Sequence, residues 1–173
     1  MKKNGSPLLT ALTNLNGLSK EDKDPLLLSA VKATIESGCD LDLVDKKRSW
    51  SALHYLSMMP NHWLAMTKLL QAGATPDTRE KRGATPLGFA VFHGNDNAVE
   101  LLLEYGADPT LEDDEGVSAY SLSLEEQYKD QVPLFDATIK SLASAKAEFD
   151  RKRLNTSLPK AKHTSSKKKG GHI

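Results

Sequence analysis

Cysteine occurs once in the 173 residues, at Cys39, so no disulfide can form within the chain. A lone thiol suits a reducing compartment. In the segment SGCDLD it is expected to pack as a small buried hydrophobe. Long apolar runs are missing too: nothing approaches the ~20 residues that a membrane-spanning helix needs. The opening stretch MKKNGSPLLTALTNLNG carries two lysines. Asn14 and Asn16 interrupt its apolar part and no small-residue cleavage site follows, which argues against a secretory leader.

Catalytic signatures are also lacking. There is no G-x-S-x-G turn, no phosphate-cradling glycine loop and no supported Cys–His pairing. The histidines His54, His62, His93, His163 and His172 have no cysteine or carboxylate neighbours at metal-ligand spacing. The acidic run Glu112, Asp113, Asp114, Glu115 lacks the glycine and ligand spacing of a calcium loop and reads as a solvated loop tip. No catalytic residue, metal or cofactor is expected, and an enzyme has no positive support.

Hydrophobic residues make up 39% and charged residues 27%, the composition of a globular chain. The formal net charge of zero conceals an asymmetry. Residues 151–173 hold eight Lys or Arg and no acid, leaving a net of −8 on residues 1–150. An acidic body and a basic tail are distinct physical objects.

The body repeats itself. The clearest unit is GATPLGFAVFHGNDNAVELLLEYGADPTLEDDEG, residues 83–116. Thr85 can cap a helix whose first turn holds Pro86, where no N–H is needed. Leu87, Ala90 and Val91 share one face of that helix, and Gly94 ends it. Val99, Leu101, Leu102 and Leu103 supply the apolar face of a second helix. Gly106 can adopt the left-handed conformation that closes it. The closing segments SGCD, AGAT and YGAD place Gly38, Gly73 and Gly106 at spacings of 35 and 33. In the second unit SALHYLSMM stands where TPLGFAVFH stands in the third. The first unit offers SPLLTAL and PLLLSAVKATIESG, with about eleven extra residues between them around GLSKEDKD. The fourth offers SAYSLSLEEQ and a longer second helix, VPLFDATIKSLASAKAEF.

This pattern resembles the ankyrin-repeat family, whose unit is a turn, two antiparallel helices and a projecting loop with a T-P-L-H-x-A signature. The resemblance runs over about residues 5–150. It implies an all-α ankyrin solenoid of about four helix-turn-helix units in residues 1–153, divided near 5–40, 41–78, 79–112 and 113–153. A disordered lysine-rich tail, 154–173, follows. The signature histidine survives only as His54; Gly88 and Ser121 replace it. In the family this residue ties neighbouring loops, so the third and fourth loops are expected to be looser. Trp63, in NHWLAMTKLL, is expected to pack inside or between repeats.

The resemblance also implies where a partner protein would sit: on the concave side built by first helices and loop tips. By alignment the second unit offers Lys46, Lys47, Arg48 and Trp50, then Met58 and Met59. The third offers Lys81, Arg82 and Ala84, then Phe92 and His93. The fourth offers Asp114, Glu115 and Val117, then Glu125 and Glu126. Trp50, Met58, Met59 and Phe92 would form an apolar strip between a basic side and an acidic side, suited to orienting a dipolar peptide. Packing of Trp50, Met58 and Met59 inside the stack is the competing reading.

In the tail, the clusters Arg151, Lys152, Arg153 and Lys167, Lys168, Lys169 lie thirteen residues apart, like a bipartite nuclear-import signal. Residues Arg151 to Lys169 would also attract nucleic acid or an anionic surface weakly. The reading that results is a cytoplasmic protein-interaction adaptor or scaffold, monomeric when free. A nuclear site would apply for a eukaryotic source and secretion as an effector for a bacterial one. The competing class is a nucleic-acid- or chromatin-associated regulator whose tail supplies electrostatic binding.

Overall fold

The structure, a computed structural model, describes residues 6–14, 20–125 and 135–157. Eight helices are found among them, arranged as four pairs. They are α1 (Pro7–Thr13) with α2 (Lys20–Glu36), α3 (Ala52–Ser57) with α4 (Trp63–Gln71), α5 (Pro86–Phe92) with α6 (Asp96–Glu104), and α7 (Ala119–Ser123) with α8 (Phe135–Ser157). First helices pack on first helices, α1 on α3, α3 on α5 and α5 on α7. Second helices form a parallel layer in which α2 meets α4, α4 meets α6 and α6 meets α8.

Local sequence explains the helix ends. Ser6 Oγ accepts from the Leu9 N–H, Thr85 Oγ1 from Gly88 and Ser118 Oγ from Ser121. Each satisfies a donor that the helix itself leaves open. Pro7 and Pro86 sit where no donor is required. At the other end Gly73 (φ 97°) and Gly106 (φ 86°) turn the chain out of α4 and α6 in the left-handed region, where a side chain is strained.

The core is one continuous cluster, and each layer contributes to it. Leu8 and Leu12, Leu27 and Val31, Leu53 and Leu56, Met66 and Leu69, Leu87 and Val91, Val99 and Leu102, and Leu142 are all buried. Polar ties fix the register between units. Thr75 N–H and its hydroxyl donate to the Asp42 carboxylate at 2.9 and 2.5 Å. One unit further on, the Asp108 N–H donates to Asp77 at 3.0 Å. Asn95 caps α6 and donates from Nδ2 to the Ser57 carbonyl at 2.9 Å. Burial pushes the Asp77 carboxyl up, the Asp108 N–H lowers it and the neighbouring Asp108 charge raises it, with a net rise.

His54 is fully buried and joins the second unit to the third. Its Nδ1 accepts from the Ser51 N–H at 3.1 Å, which leaves Nε2 to donate to the Ala84 carbonyl at 3.1 Å. Without a histidine at 88 or 121, the third and fourth loops were expected to be looser. They are tied by other groups: the Asp114 N–H donates to the Arg82 carbonyl at 2.9 Å and the Arg79 guanidinium to the Glu112 carbonyl.

Four sequence expectations change. Helix α2 begins at Lys20, so the whole polar segment KEDKD is helical rather than a loop insertion. Lys and Glu are good helix formers, which allows this earlier start. Helix α8 continues to Ser157, four residues past the expected end of the repeat domain at 153, so Arg151, Lys152 and Arg153 lie on it, exposed. Ion pairs one turn apart, Lys146–Asp150 at 2.6 Å and Lys152–Glu148 at 2.7 Å, brace the turns just before it. Cys39 is half-buried, with the Ser37 hydroxyl 3.0 Å from its sulfur. Trp63 is 54% exposed rather than packed. His62, Ala65, Met66, Leu69 and Leu70 occupy the inward stripe of α4, and Trp63 falls beside it. The expected disordered tail from 158 onward, including Lys167, Lys168 and Lys169, lies outside the described residues.

His54 makes stability depend on pH. Burial outweighs the Ala84 hydrogen bond and the Glu80 charge and lowers its pKa below the ordinary 6.5. The unfolded chain therefore takes up the proton first. The contribution of neutral His54 is complete above about pH 6.5 and is lost as pH falls through that value toward the folded-state pKa. The urea midpoint should fall between about pH 7.5 and 5.5 by more in the native chain than in His54→Gln. Equal falls in the two proteins would show that His54 is not the group responsible.

Candidate protein-docking cleft

Three loop tips carry an acidic residue at matching positions, and each braces its own turn. Asp45 Oδ1 accepts from Lys47 and Arg48 N–H, both at 2.7 Å. Glu80 Oε1 accepts from Arg82 at 2.7 Å and Ala84 at 3.3 Å. Asp113 Oδ1 accepts from Glu115 at 2.9 Å and Val117 at 3.0 Å. Side-chain caps of this kind hold a turn in place of backbone partners. The loop tips thus stand at fixed positions relative to the first helices.

Asp45 does more. Its Oδ2 accepts from the Trp50 N–H at 3.2 Å and the Tyr55 hydroxyl at 3.1 Å. Burial pushes the Asp45 carboxyl up. Hydrogen bonds from the N–H groups of Arg48, Lys47 and Trp50 and from the Tyr55 hydroxyl outweigh this and leave it below the usual carboxylate range. Burial, then the Asp45 charge, raises the Tyr55 hydroxyl.

From Tyr55 a ladder of rings runs across the first helices. Trp50 meets Tyr55 edge-on at 5.2 Å and Phe89 edge-on at 5.0 Å. Phe89 meets His54 at 5.1 Å and stacks with His93 at 6.3 Å. His93 meets Phe92 edge-on at 5.1 Å. Four of these pairs are edge-to-face and Phe89–His93 is stacked, at separations that aromatic quadrupoles favour. The Arg48 guanidinium lies 4.6 Å from the Trp50 ring centroid. The ladder grades from packed to open: Trp50 is half-buried and Phe92 is 53% exposed.

The ladder borders a cleft of about 560 Å³. Of the residues expected to bind a partner, the cleft brings together Trp50, Met58, Arg82, Phe92, His93 and Glu115. Arg82 and Glu115 form an ion pair at its mouth. Lys46, Lys47, Lys81 and Asp114 are exposed on loop tips and do not line it. Arg48 reaches it only through the Trp50 face. Met59 packs against the core cluster. The sequence reading missed Phe89, the ring at the centre of the ladder, together with Leu111 and Leu122 of the far wall. Phe89 stands three residues before Phe92, and that helical spacing places both on one stripe of α5.

This geometry of paired helices, hairpin-like loops and a concave cleft agrees with comparison to known proteins. A family model described as ankyrin repeats (3 copies) matches residues 22–113, more than half of the chain. The chain belongs to the ankyrin-repeat family. It is 31% identical over 118 residues to an E3 ubiquitin-protein ligase, KEG, of Arabidopsis thaliana, covering 68% of this chain and 7% of that protein. It is 38% identical over 85 residues to a putative ankyrin repeat-containing protein of Treponema pallidum, covering 49% and 28%. It is 40% identical over 73 residues to an ankyrin repeat and LEM domain-containing protein 1 homolog of Caenorhabditis elegans, covering 41% and 10%. The matched stretch is therefore a small part of each relative. Ankyrin repeats are generally protein–protein interaction modules and are typically non-catalytic.

Within the ankyrin stack, Trp50 and Phe92 should separate stability from surface. Phe92→Ala should change the free energy of unfolding by less than about 0.5 kcal/mol, as for an exposed site. Trp50→Ala should cost about 2–3 kcal/mol, because Tyr55, Phe89 and Arg48 all lose a ring contact. Urea unfolding measures both. Equal losses would mean that Phe92 packs into the stack rather than lining an open surface.

Proposed function

We propose that the chain acts as an adaptor that holds a partner protein in the concave cleft between Trp50 and Glu125. One observation carries this reading: a continuous aromatic ladder ends on a ring, Phe92, that stays 53% exposed above an open cleft. Leaving such a ring in water forgoes roughly 1.5–3 kcal/mol relative to burial. Exposed aromatic anchors beside pockets are a recurrent feature of binding hot spots. The neighbouring rings and braced loops hold the cleft ready, so little ordering is needed when a partner arrives.

The apolar strip and charged rim expected from the sequence enter this reading in altered form. Met58 and Trp50 remain in the strip; Lys46, Lys47 and Lys81 stand apart from it. The cytoplasm, with its reducing poise, is the compartment this reading assigns, and no described helix is long and apolar enough to cross a membrane. Nucleic-acid binding would have to come from the basic segment around Arg151 to Lys169, since the cleft itself is rimmed by carboxylates.

Photo-crosslinking with the full chain tests the proposal. A crosslinking residue at position 92 should give protein adducts in an extract of the source cells, and one at Leu64, on the second-helix layer, should not. Phe92→Ala should weaken recovery of the same adduct protein by about tenfold, the equivalent of ~1.4 kcal/mol, with unfolding unchanged. Equal labelling from both positions, or undiminished recovery by Phe92→Ala, would refute the cleft as the docking site.

A further inference from the structure

We propose that the cleft takes a short segment of a partner protein in which an apolar residue stands beside arginine or lysine. This rests on the cleft being the docking site and adds the chemistry of its occupant. The charge of the lining points this way. Glu80, Asp113, Glu115 and Glu125 contribute four carboxylates, against a single guanidinium from Arg82. Arg82 and Glu115 pair and offset each other, which leaves the lining an excess of three carboxylates. Carboxylates along apolar walls focus a negative potential into a cleft. A phosphate backbone or an acidic peptide would meet like charge there, which costs binding rather than adding to it.

The rings speak for the same chemistry. The chain already lays one guanidinium on the ladder, with Arg48 4.6 Å from the Trp50 centroid. Phe92 offers a second, solvent-facing ring at the other end. A cation over an aromatic face with carboxylates beside it gains from both. Leu111, Val117 and Leu122 on the far wall supply the apolar contact for the residue next to the cation. The volume of about 560 Å³ accommodates a few side chains, which selects a short segment over a broad flat surface.

Tryptophan emission reads the test directly. The chain has only Trp50 and Trp63, so the full-length variant Trp63→Phe leaves Trp50 as a reporter within the cleft. Three blocked synthetic peptides are titrated: a leucine flanked by arginines, its twin with glutamates for the arginines, and its twin with serine for the leucine. The arginine–leucine peptide should shift Trp50 emission saturably. Both twins should bind at least about tenfold more weakly. Its affinity should fall as salt rises, and the double variant Glu115→Gln, Glu125→Gln should lower it by a similar factor while unfolding stays the same.

Equal binding of the arginine and glutamate peptides would overturn the cationic assignment and leave the docking site standing. Failure of all three peptides to bind would overturn the short-segment assignment, and the Phe92 crosslinking then judges the cleft by itself. If deletion of residues 158–173 alone shifts Trp50 emission and tightens the arginine peptide, the occupant is the chain's own lysine-rich end, and the assignment to a partner falls.

Discussion

A pair of short helices in this chain has no interior of its own. α5 is seven residues long and α7 five, each too short to be stable alone in water. Each buries its apolar stripe only by lying against the pairs on either side, so the whole stack depends on repeat-to-repeat contact. Leu53, Leu87 and Leu102 are fully buried for that reason alone. The contact must also be in register, because a shift would separate donors from acceptors that are out of water. His54 to Ala84, Asn95 to Ser57 and Asp77 to Asp108 each cross between units and hold that register.

The same ties place the cleft. Loop tips are ordinarily the mobile part of a fold. Here Asp45, Glu80 and Asp113 each draw two backbone N–H groups onto one carboxylate oxygen, and the tips become a fixed rim. Glu80 and Asp113 serve twice, as braces within the turn and as negative charge along the cleft. Trp50 is held from behind by its N–H on Asp45 and from the side by Tyr55 and Phe89, so the ladder rests on structural contacts. Rigidity and recognition thus draw on the same few residues, and the stack need not rearrange to present its aromatic edge.

Much of the fold was legible in the order of residues. Thr85 before Pro86, Gly106 after Leu103 and the return of glycine after 35 and then 33 residues announce helix starts, stops and the stacking period. The apolar spacing of Leu87, Ala90 and Val91 announces which face is buried. Less legible was anything decided across units. Trp63 reads as core because it is large and apolar, yet His62 takes the inward position and leaves Trp63 in solvent. Phe89 was passed over because its importance lies in touching Trp50, 39 positions earlier and in another unit. The tail begins later than its composition suggests, because α8 runs on through residues 154–157.

The sequence by itself determined the repeat, the helix ends and the residue types available at each loop, since these follow from local propensity and period. It also determined that the body is acidic. Tertiary structure alone decided which of those residues share a surface. Trp50, Met58, Phe92 and Glu115 come together in one cleft; Lys46, Lys47 and Lys81 are exposed outside its lining, and Met59 packs against the core. The reason is geometric. A one-dimensional period fixes which helix follows which. The angle at which one unit packs on the next fixes which side chains of different units face each other, and that angle is set by the whole buried interface.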